Sequence, residues 1–347
     1  KSICITGAGG SIGSEICNQI INYNPVKIIL IEQSELNLYN IYEELKLKNT
    51  STEIIPVLGN CTNFAFINKV IKNEKIDLIF HSAAYKHVPL VEQNPLQGIF
   101  NNAFSTKNMC MIARKYNIKK FILISTDKAV RPTSVMGASK RLAEIIVQAF
   151  ANEPNFYSNS DSITKKNSTL FSIVRFGNVL ASSGSVVPLF KKQIEKGGPI
   201  TITDPRIIRY FMTIKEAALL VIQASSLSKG GEVFLLDMGK PVKILELAKQ
   251  MIKLSGYSEK RIGEEGGDIE IKVSGLRPGE KLYEELLIDG ESKPTKHPLI
   301  FKAREKYLDP FFLTNKLDKL EKFLHANNEE KSLLLLKDLV PEWVKSI

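Results

Sequence analysis

A chain of 347 residues is long enough for a full hydrophobic core and two lobes, and its composition is that of an ordinary globular protein. The formal charge of +10 comes mostly from lysines spread along the chain. That spread excludes a clustered basic-aromatic nucleic-acid module and reads as a solvated surface with some capacity for a ligand carrying two phosphates. No apolar run reaches the roughly 18 residues that span a bilayer, and no signal peptide is recognisable. Cys4, Cys17, Cys61 and Cys110 form no CxxC and no metal-ligand spacing with the histidines. They read as free thiols of a reducing compartment, and no metal is expected.

In chain order, Ser2 to Thr6 is a short apolar strand. Thr6-Gly-Ala-Gly-Gly-Ser-Ile-Gly13 follows, and then an amphipathic helix through about Tyr23. Gly7 permits the tight turn, Gly10 lets the backbone approach a pyrophosphate, and Gly13 lets helix and strand pack closely. The phosphates would sit at the helix N-terminus beside Ser11 and Ile12. Glu32 ends a second strand, Lys27 to Ile31, about 20 residues past the glycines, where a carboxylate binds adenosine ribose hydroxyls. It would repel a 2'-phosphate, so NAD is favoured over NADP, although Lys46 and Lys48 follow. A surface glutamate is the plainer alternative. A helix from about Leu36 to Lys48 leads to a strand, Glu53 to Leu58, that ends in Gly59-Asn60-Cys61. Another strand, Ile76 to Phe80, opens into His81-Ser-Ala-Ala-Tyr-Lys-His-Val-Pro89, whose Ser82, Ala83 and Ala84 suit a backbone lying against a cofactor.

Phe121 to Ile124 reads as a buried strand, and at its end stand an acid and a base, Asp127 and Lys128. The chain then turns through Pro132 into a helix whose first turns carry Met136 and Lys140. Strand ends in open parallel sheets face the ligand crevice, so a reactive cluster belongs there. Asn152 to Ser168 reads as an exposed insertion without chemistry. Leu170 to Phe176 is a further strand. Gly184-Ser-Val-Val-Pro-Leu-Phe190 opens a helix, which makes Ser185 and Val186 another anion site. A helix from Thr213 to Leu227 and a strand from Glu232 to Asp237 return to the sheet. Beyond about Thr295 the chain is expected to be helical and charged, with apolar faces at Leu317, Leu320, Leu324 and Leu333 to Leu336, for packing or for oligomer contact.

The stretch Ser125 to Lys140, STDKAVRPTSVMGASK, resembles the active-site segment of extended short-chain dehydrogenase/reductases, specifically the 4,6-dehydratases that act on UDP-N-acetylglucosamine. The usual pattern has Tyr-x-x-x-Lys on the helix. Here Lys140 is in place and Met136 stands at the Tyr. With Thr126-Asp127-Lys128 upstream, this resembles the catalytic domain of the large membrane-anchored members. Motif matches run from Ile3 to Leu287. The resemblance implies an α/β fold: a doubly wound parallel sheet with a Rossmann dinucleotide site, residues 1–176 plus about 211–240. A smaller sugar-nucleotide lobe would take 177–210 plus about 241–300, and a helical tail 301–347. It implies NAD and a UDP-sugar as ligands, self-association into a homo-oligomer, a transmembrane region upstream, and a cytoplasmic domain anchored at an inner membrane.

Residue by residue, Lys140 would bind the nicotinamide ribose, and Asn60, where the family has Asp, would face the adenine amino group with Cys61 beside it. Asn102, at the start of a helix, would hold the active-site backbone. Lys86 and His87 resemble the substrate-facing pair, Asn178 the phosphate contact, and Thr201 the strand beside the uracil. Arg209 and Arg277 resemble the diphosphate and ribose clamps, since a guanidinium bonds phosphate oxygens in pairs. Glu280 resembles a ribose-contacting carboxylate. For Arg209 a surface ion pair would look the same in sequence.

A 4,6-dehydration is redox-neutral. Carbon 4 is oxidised, a base takes the acidified proton of carbon 5, an acid protonates the departing carbon 6 hydroxyl, and carbon 6 is reduced. Asp127 is the expected acid and Lys128 the expected base. Burial would shift both pKa values usefully, while their mutual attraction opposes it. The Met136 thioether cannot take the hydroxyl proton. Thr126 could relay it, with Asp127, Lys128 or a water as destination. The Met-containing site resembles that of the members that retain configuration at carbon 5, so the resemblance implies retention. The rival readings are a carbon-5-inverting dehydratase and, in another class, a non-catalytic dinucleotide sensor; Met136 disfavours a plain epimerase.

Overall fold

Strand residues alternate between two faces, and each face finds its own core. The computed structural model describes residues 1–48, 51–154, 156–157, 169–260, 266–287, 291–305 and 307–344. The first six strands are β1 (Ser2–Thr6), β2 (Lys27–Glu32), β3 (Glu53–Leu58), β4 (Leu78–His81), β5 (Lys120–Thr126) and β6 (Leu170–Phe176). Ile29, Ile31, Phe121 and Leu123 face one apolar cluster, and Ile28, Leu30, Ile122 and Ile124 face another on the opposite side. Burial on both faces is what a parallel sheet needs.

The short strands β7 (Asn178–Val179), β8 (Ile200–Ile202), β9 (Ile208–Arg209) and β10 (Phe211–Met212) precede β11 (Val233–Leu236). Then come β12 (Val242–Lys243), β13 (Glu259–Lys260), β14 (Ile269–Val273), β15 (Lys293–Pro294) and β16 (Ile300–Ala303). The described main sheet has nine strands in the order β15-β16-β11-β6-β5-β4-β1-β2-β3. The order reverses between β1 and β4, and the crevice above such a switch point takes ligands. A smaller lobe carries a three-stranded sheet, β13-β14-β8, over its own core of Phe190, Ile194, Ile200, Ile202 and Ile269. The fold is therefore the expected doubly wound α/β sheet with a second lobe.

The helices are α1 (Ser11–Ile20), α2 (Glu35–Lys46), α3 (Phe64–Ile71), α4 (Val88–Gln93), α5 (Pro95–Ile99), α6 (Ser105–Lys115), α7 (Val135–Asn152), α8 (Val186–Glu195), α9 (Ile214–Leu227), α10 (Ile244–Leu254), α11 (Pro310–His325) and α12 (Glu329–Leu339). Three expectations need correction. The helix assigned to start at Asn102 begins earlier: a π-helical turn, Phe100–Phe104, joins α5 to α6 and holds Asn102 buried inside it. The chain beyond about Thr295 is not helical at once, because β16 pairs antiparallel with β11 and buries Ile300 and Ala303. Four residues are too few to show a period against charged neighbours. The polar stretch after Asn152 is not wholly exposed either: Phe156 packs on Phe150 at 4.9 Å between ring centroids. Residues 155 and 158–168 lie outside the described part.

The tail covers α7. Leu317, Leu320, Leu324, Leu335 and Leu336 join the core beneath it. Beside them runs a buried ion network. Arg175, fully buried on β6, donates Nε to Glu144 Oε1 at 2.7 Å and Nη2 to Glu305 Oε2 at 2.7 Å. Arg141 bonds Glu305 at 2.8 Å and Glu342 at 2.7 Å. Burial by itself would raise the Glu144 pKa, but Arg175, Arg141 and the Ser125 hydroxyl outweigh it and hold the carboxyl below its ordinary value.

A folded-state pKa below the unfolded one gives stability that is present above the unfolded value and is lost as pH falls through the folded one. Glu144→Ala leaves buried arginines without their carboxylate and is expected to cost about 3–5 kcal/mol. Urea unfolding at neutral and acid pH checks this: the wild type should lose stability on acidification, and the gap to the variant should shrink.

Candidate active site

The nucleotide end is built from the β1–α1 turn. Gly7 has φ +63°, and a Cβ there would lie 2.8 Å from the Ala83 nitrogen. A Cβ on Gly13 would lie 2.0 Å from the Gly7 carbonyl oxygen, so only glycine lets α1 seat on the strand end. Gly7, Gly10, Ser11, Ile12, Gly13, Ala84 and Lys140 line a cleft of about 840 Å³. The cradle of backbone nitrogens at the head of α1 suits a pyrophosphate. Glu32, Asn60, Cys61 and Ala83 lie beside the cleft and not among its lining residues. Glu32 accepts from the backbone nitrogens of Gly9 at 3.1 Å, Gln33 at 2.9 Å and Ser34 at 3.0 Å, which fixes its carboxylate across the glycine turn. Asn60 caps its own turn by accepting from Thr62 N at 2.8 Å. The Cys61 thiol is buried, and burial with the nearby Glu32 charge pushes it up to about 12.

The Thr126–Asp127–Lys128 cluster stands at the end of β5: Thr126 and Lys128 line the same cleft, and Asp127 is buried behind them and not among the lining residues. Thr126 Oγ1 donates to Asp127 Oδ1 at 2.8 Å, and Lys128 Nζ donates to that oxygen at 3.0 Å and to Asn178 Oδ1 at 3.1 Å. The Thr126 hydroxyl is thus directed to Asp127. Burial pulls the Lys128 pKa down, but Asp127 and Glu284 outweigh it and the net shift is upward. Attraction wins over burial, against what a resting base requires. Gly137 lets α7 approach this turn: a Cβ there would lie 2.4 Å from the Lys128 carbonyl oxygen. Met136 and Lys140, one turn apart on α7, line the cleft with Thr126 and Lys128. Lys140 Nζ donates to the Ile124 carbonyl at 2.7 Å, and burial brings its pKa down to about 8. Asn102 accepts from Tyr85 N at 2.8 Å and donates to Tyr85 O at 3.0 Å and Ser139 Oγ at 2.9 Å, so it ties the β4 loop to α7 by direct bonds.

The far end of the cleft collects Lys86, His87, Asn178, Ser185, Val186, Thr201, Arg209, Arg277 and Glu280. The pKa values of Lys86 and His87 are both lowered, first by burial and then by a cationic neighbour, Lys128 and Lys86 respectively. Ser185 is the N-cap of α8, and its buried hydroxyl has no hydrogen-bond partner among the described residues. Thr201 is clamped by Gln193, which donates to its hydroxyl at 2.7 Å. Arg209 is buried and donates to the carbonyls of Lys281 at 2.6 Å and Leu282 at 3.1 Å, so in this structure it anchors the Arg277 segment. Glu280 accepts from Thr203 Oγ1 at 2.9 Å.

Residues 3–305 match the polysaccharide biosynthesis protein family. The chain belongs to that family. It is 52% identical over 295 residues to the capsular polysaccharide biosynthesis protein CapD of Staphylococcus aureus, a match covering 85% of this chain and 46% of that one. The chain thus spans about half the length of that relative. It is 30% identical to a UDP-glucose 4-epimerase of Rickettsia canadensis (83% and 77% covered) and 31% identical to an inverting UDP-N-acetylglucosamine 4,6-dehydratase of Campylobacter jejuni (85% and 80% covered). The X-ray structure of Pen from Bacillus thuringiensis superposes with a TM-score of 0.75 at 31% identity, over 91% of this chain and 96% of that one.

In this family member the sequence reading missed Glu284. Its Oε1 lies 3.7 Å from Lys128 Nζ and 3.9 Å from Arg209 Nη2, and its side chain is 4% exposed. Glu284 lies inside the Arg277 motif, Leu-Arg-Pro-Gly-Glu-Lys-Leu-Tyr-Glu-Glu-Leu, but nothing in that run singles it out; the segment's return to the β5 turn buries it. That return is held by Lys281 Nζ donating to the Val130 carbonyl at 2.7 Å and Thr133 Oγ1 to the Gly279 carbonyl at 2.9 Å. No described helix is long and apolar enough to cross a membrane.

Gly13→Ala forces α1 off the strand end and is expected to cost about 1–3 kcal/mol of stability. Thermal unfolding with and without NAD checks it: the variant should also lose any stabilisation that added NAD gives the wild type.

Proposed function

We propose that this chain carries out the NAD-dependent 4,6-dehydration of UDP-N-acetylglucosamine, with carbon 5 configuration retained, for bacterial glycan synthesis. The observation that carries it is the Thr126–Asp127–Lys128 chain of hydrogen bonds, opening on one cleft with the glycine cradle and Lys140. A non-catalytic sensor has no need of a buried acid and ammonium beside an anion-binding end. A plain epimerase needs a proton acceptor where Met136 has none.

When bound, NAD supplies a reversible hydride acceptor for sugar carbon 4. Its phosphates fit the turn at Gly7, Gly10 and Gly13, and its nicotinamide ribose the Lys140 side of the cleft. The Glu32 carboxylate would repel a 2'-phosphate, while Lys46 pairs with Glu43 at 3.0 Å and Lys48 donates to the Asn18 carbonyl. Both lysines are therefore engaged away from the ribose. The UDP diphosphate suits the N-terminus of α8, where Ser185 presents its unpartnered hydroxyl, with Lys86 and Arg277 nearby.

At the reacting carbons, Thr126 passes the carbon 4 hydroxyl proton towards Asp127, its hydrogen-bond acceptor. Asp127 protonates the carbon 6 hydroxyl as it leaves, and Lys128 takes the carbon 5 proton once its own proton has gone. Met136 is buried and packs the place of a Tyr. The second reading is a carbon-5-inverting dehydratase, which the Campylobacter jejuni relative's name favours. Met136 in place of Tyr supports retention.

Incubation with UDP-N-acetylglucosamine in heavy water, followed by proton NMR, is expected to give a 4-keto-6-deoxy sugar with deuterium at carbon 5 and unchanged configuration there. No product even with added NAD would sink the reading, and the inverted epimer would select the second one. Lys128→Ala should lower product formation by at least about a hundredfold with UDP binding kept. Asp127→Asn should slow carbon 5 exchange and loss of water together, because Asp127 receives the carbon 4 proton and later gives one to carbon 6; loss of water at the wild-type rate would argue against Asp127 as the acid.

A further inference from the structure

We propose that Glu284 is a positioning residue that acts through Lys128, receiving the proton that Lys128 must give up before it can serve as base. This rests on the dehydratase reading above. Lys128 is held as an ammonium by Asp127 at 3.0 Å, Asn178 at 3.1 Å and Glu284 at 3.7 Å. Of the two carboxylates, Asp127 already accepts from Thr126 on the oxygen that Lys128 uses. It is therefore committed to the other proton route. Glu284 is not: its Oε2 is buried with no hydrogen-bond partner among the described residues. A buried carboxylate with one oxygen unsatisfied is costly to keep charged, and a proton on Oε1, the oxygen that faces Lys128, neutralises it.

The step balances. One proton leaves Nζ for the Glu284 carboxylate, the nitrogen keeps the electron pair, and the cluster's net charge does not change. Exchanging an ion pair for an amine and a carboxylic acid becomes easier as substrate excludes water, because a drier site penalises separated charge. The resting distance is longer than a hydrogen bond, and such contacts commonly tighten only in the loaded complex. The surroundings agree. Burial, with the Asp127 charge adding to it, raises the Glu284 pKa; Lys128, Arg209 and Lys281 oppose it, and the net shift is upward. The charged groups facing the pair are Asp127 beside Lys128, Arg209 on β9, Lys86 on the β4 loop, and Lys281, Glu280 and Glu285 on the segment of Glu284 itself.

The experiment is the pH dependence of deuterium entry at carbon 5 of UDP-N-acetylglucosamine, wild type against Glu284→Gln, with UDP binding and thermal unfolding as controls for folding. The glutamine keeps shape and polarity but takes no proton. The expected result is a rate lowered at neutral pH by about a hundredfold or more that climbs about tenfold per pH unit, as Lys128 loses its proton to solvent instead. The wild type should be flat over the same range. A loss that is the same at every pH, or no loss, overturns the proposal while the dehydratase reading stands. A wild type that exchanges nothing overturns both. If Glu284→Gln does not fold, Glu284→Asp serves: it keeps a carboxylate and must keep the flat profile at a lower rate, and a sloped profile there overturns the proposal.

Discussion

The fully buried Arg175 is the constraint on which the active site depends. Its guanidinium has no water to fall back on, so its carboxylate partners are obligatory. Those partners are spread over the fold: Glu144 on α7, Glu305 just past β16, and the Leu286 carbonyl at 3.3 Å. Glu144 also accepts from Ser125 at 2.6 Å, one residue before Thr126. The network therefore fixes β5, whose end leads into Asp127 and Lys128, against α7, which carries Met136 and Lys140. It also fixes the end of the segment that brings Glu284. Small errors in such spacing are expensive for chemistry, and an ion network with directional bonds holds it more exactly than apolar contact, which is non-directional.

The same economy explains why α7 is buried on every side from Val135 to Phe150. An ordinary surface helix shows a polar stripe to water. Here α12 and the chain after it cover that stripe, and the Val344 nitrogen donates to the Pro132 carbonyl at 3.0 Å. Arg141, which would be a solvated charge on a bare helix, is enclosed between Glu305 and Glu342. The tail is thus part of the support of the turn between β5 and α7, although none of its described side chains lines the cleft.

How much of this was legible in the sequence follows from the range of the forces involved. The glycine turn was legible because the positive φ at Gly7 and the clash of a Gly13 side chain with the Gly7 carbonyl are local and leave only one residue type. The parallel strands were legible because burial on both faces writes an unbroken apolar run. The wiring was not. Against burial, Lys128 is raised in pKa first by Asp127, its neighbour in sequence, and then by Glu284, more than 150 residues away and brought close by carbonyl contacts that no local pattern announces. Arg175 and Glu144 look like any strand and helix charges until the tail closes over them. Asn102 shows the intermediate case: its tie to the active-site backbone came from resemblance, and the π-helical turn that aims it had no local signature.

The two ends of the cleft also act on each other. Between β7 and α8 the chain passes Ala181 at φ +59° and Gly184 at φ +67°, a tight bend that only partners on both sides would hold. On one side the Ser183 nitrogen donates to Ser11 Oγ at 3.1 Å, at the head of α1. On the other Lys86 donates to Ser182 Oγ at 3.4 Å, and the His87 ring packs where a Cβ on Gly184 would be. The bend therefore crosses from the glycine turn to the substrate loop and shares residues with both linings. A dinucleotide seated on α1 and a diphosphate seated on α8 would meet under the same backbone. A reaction whose cofactor is oxidant and then reductant for one sugar requires that the two ligands stay together until the second transfer. In the proposed dehydration, a bend anchored at both ends would supply that restraint without any contact to the reacting atoms.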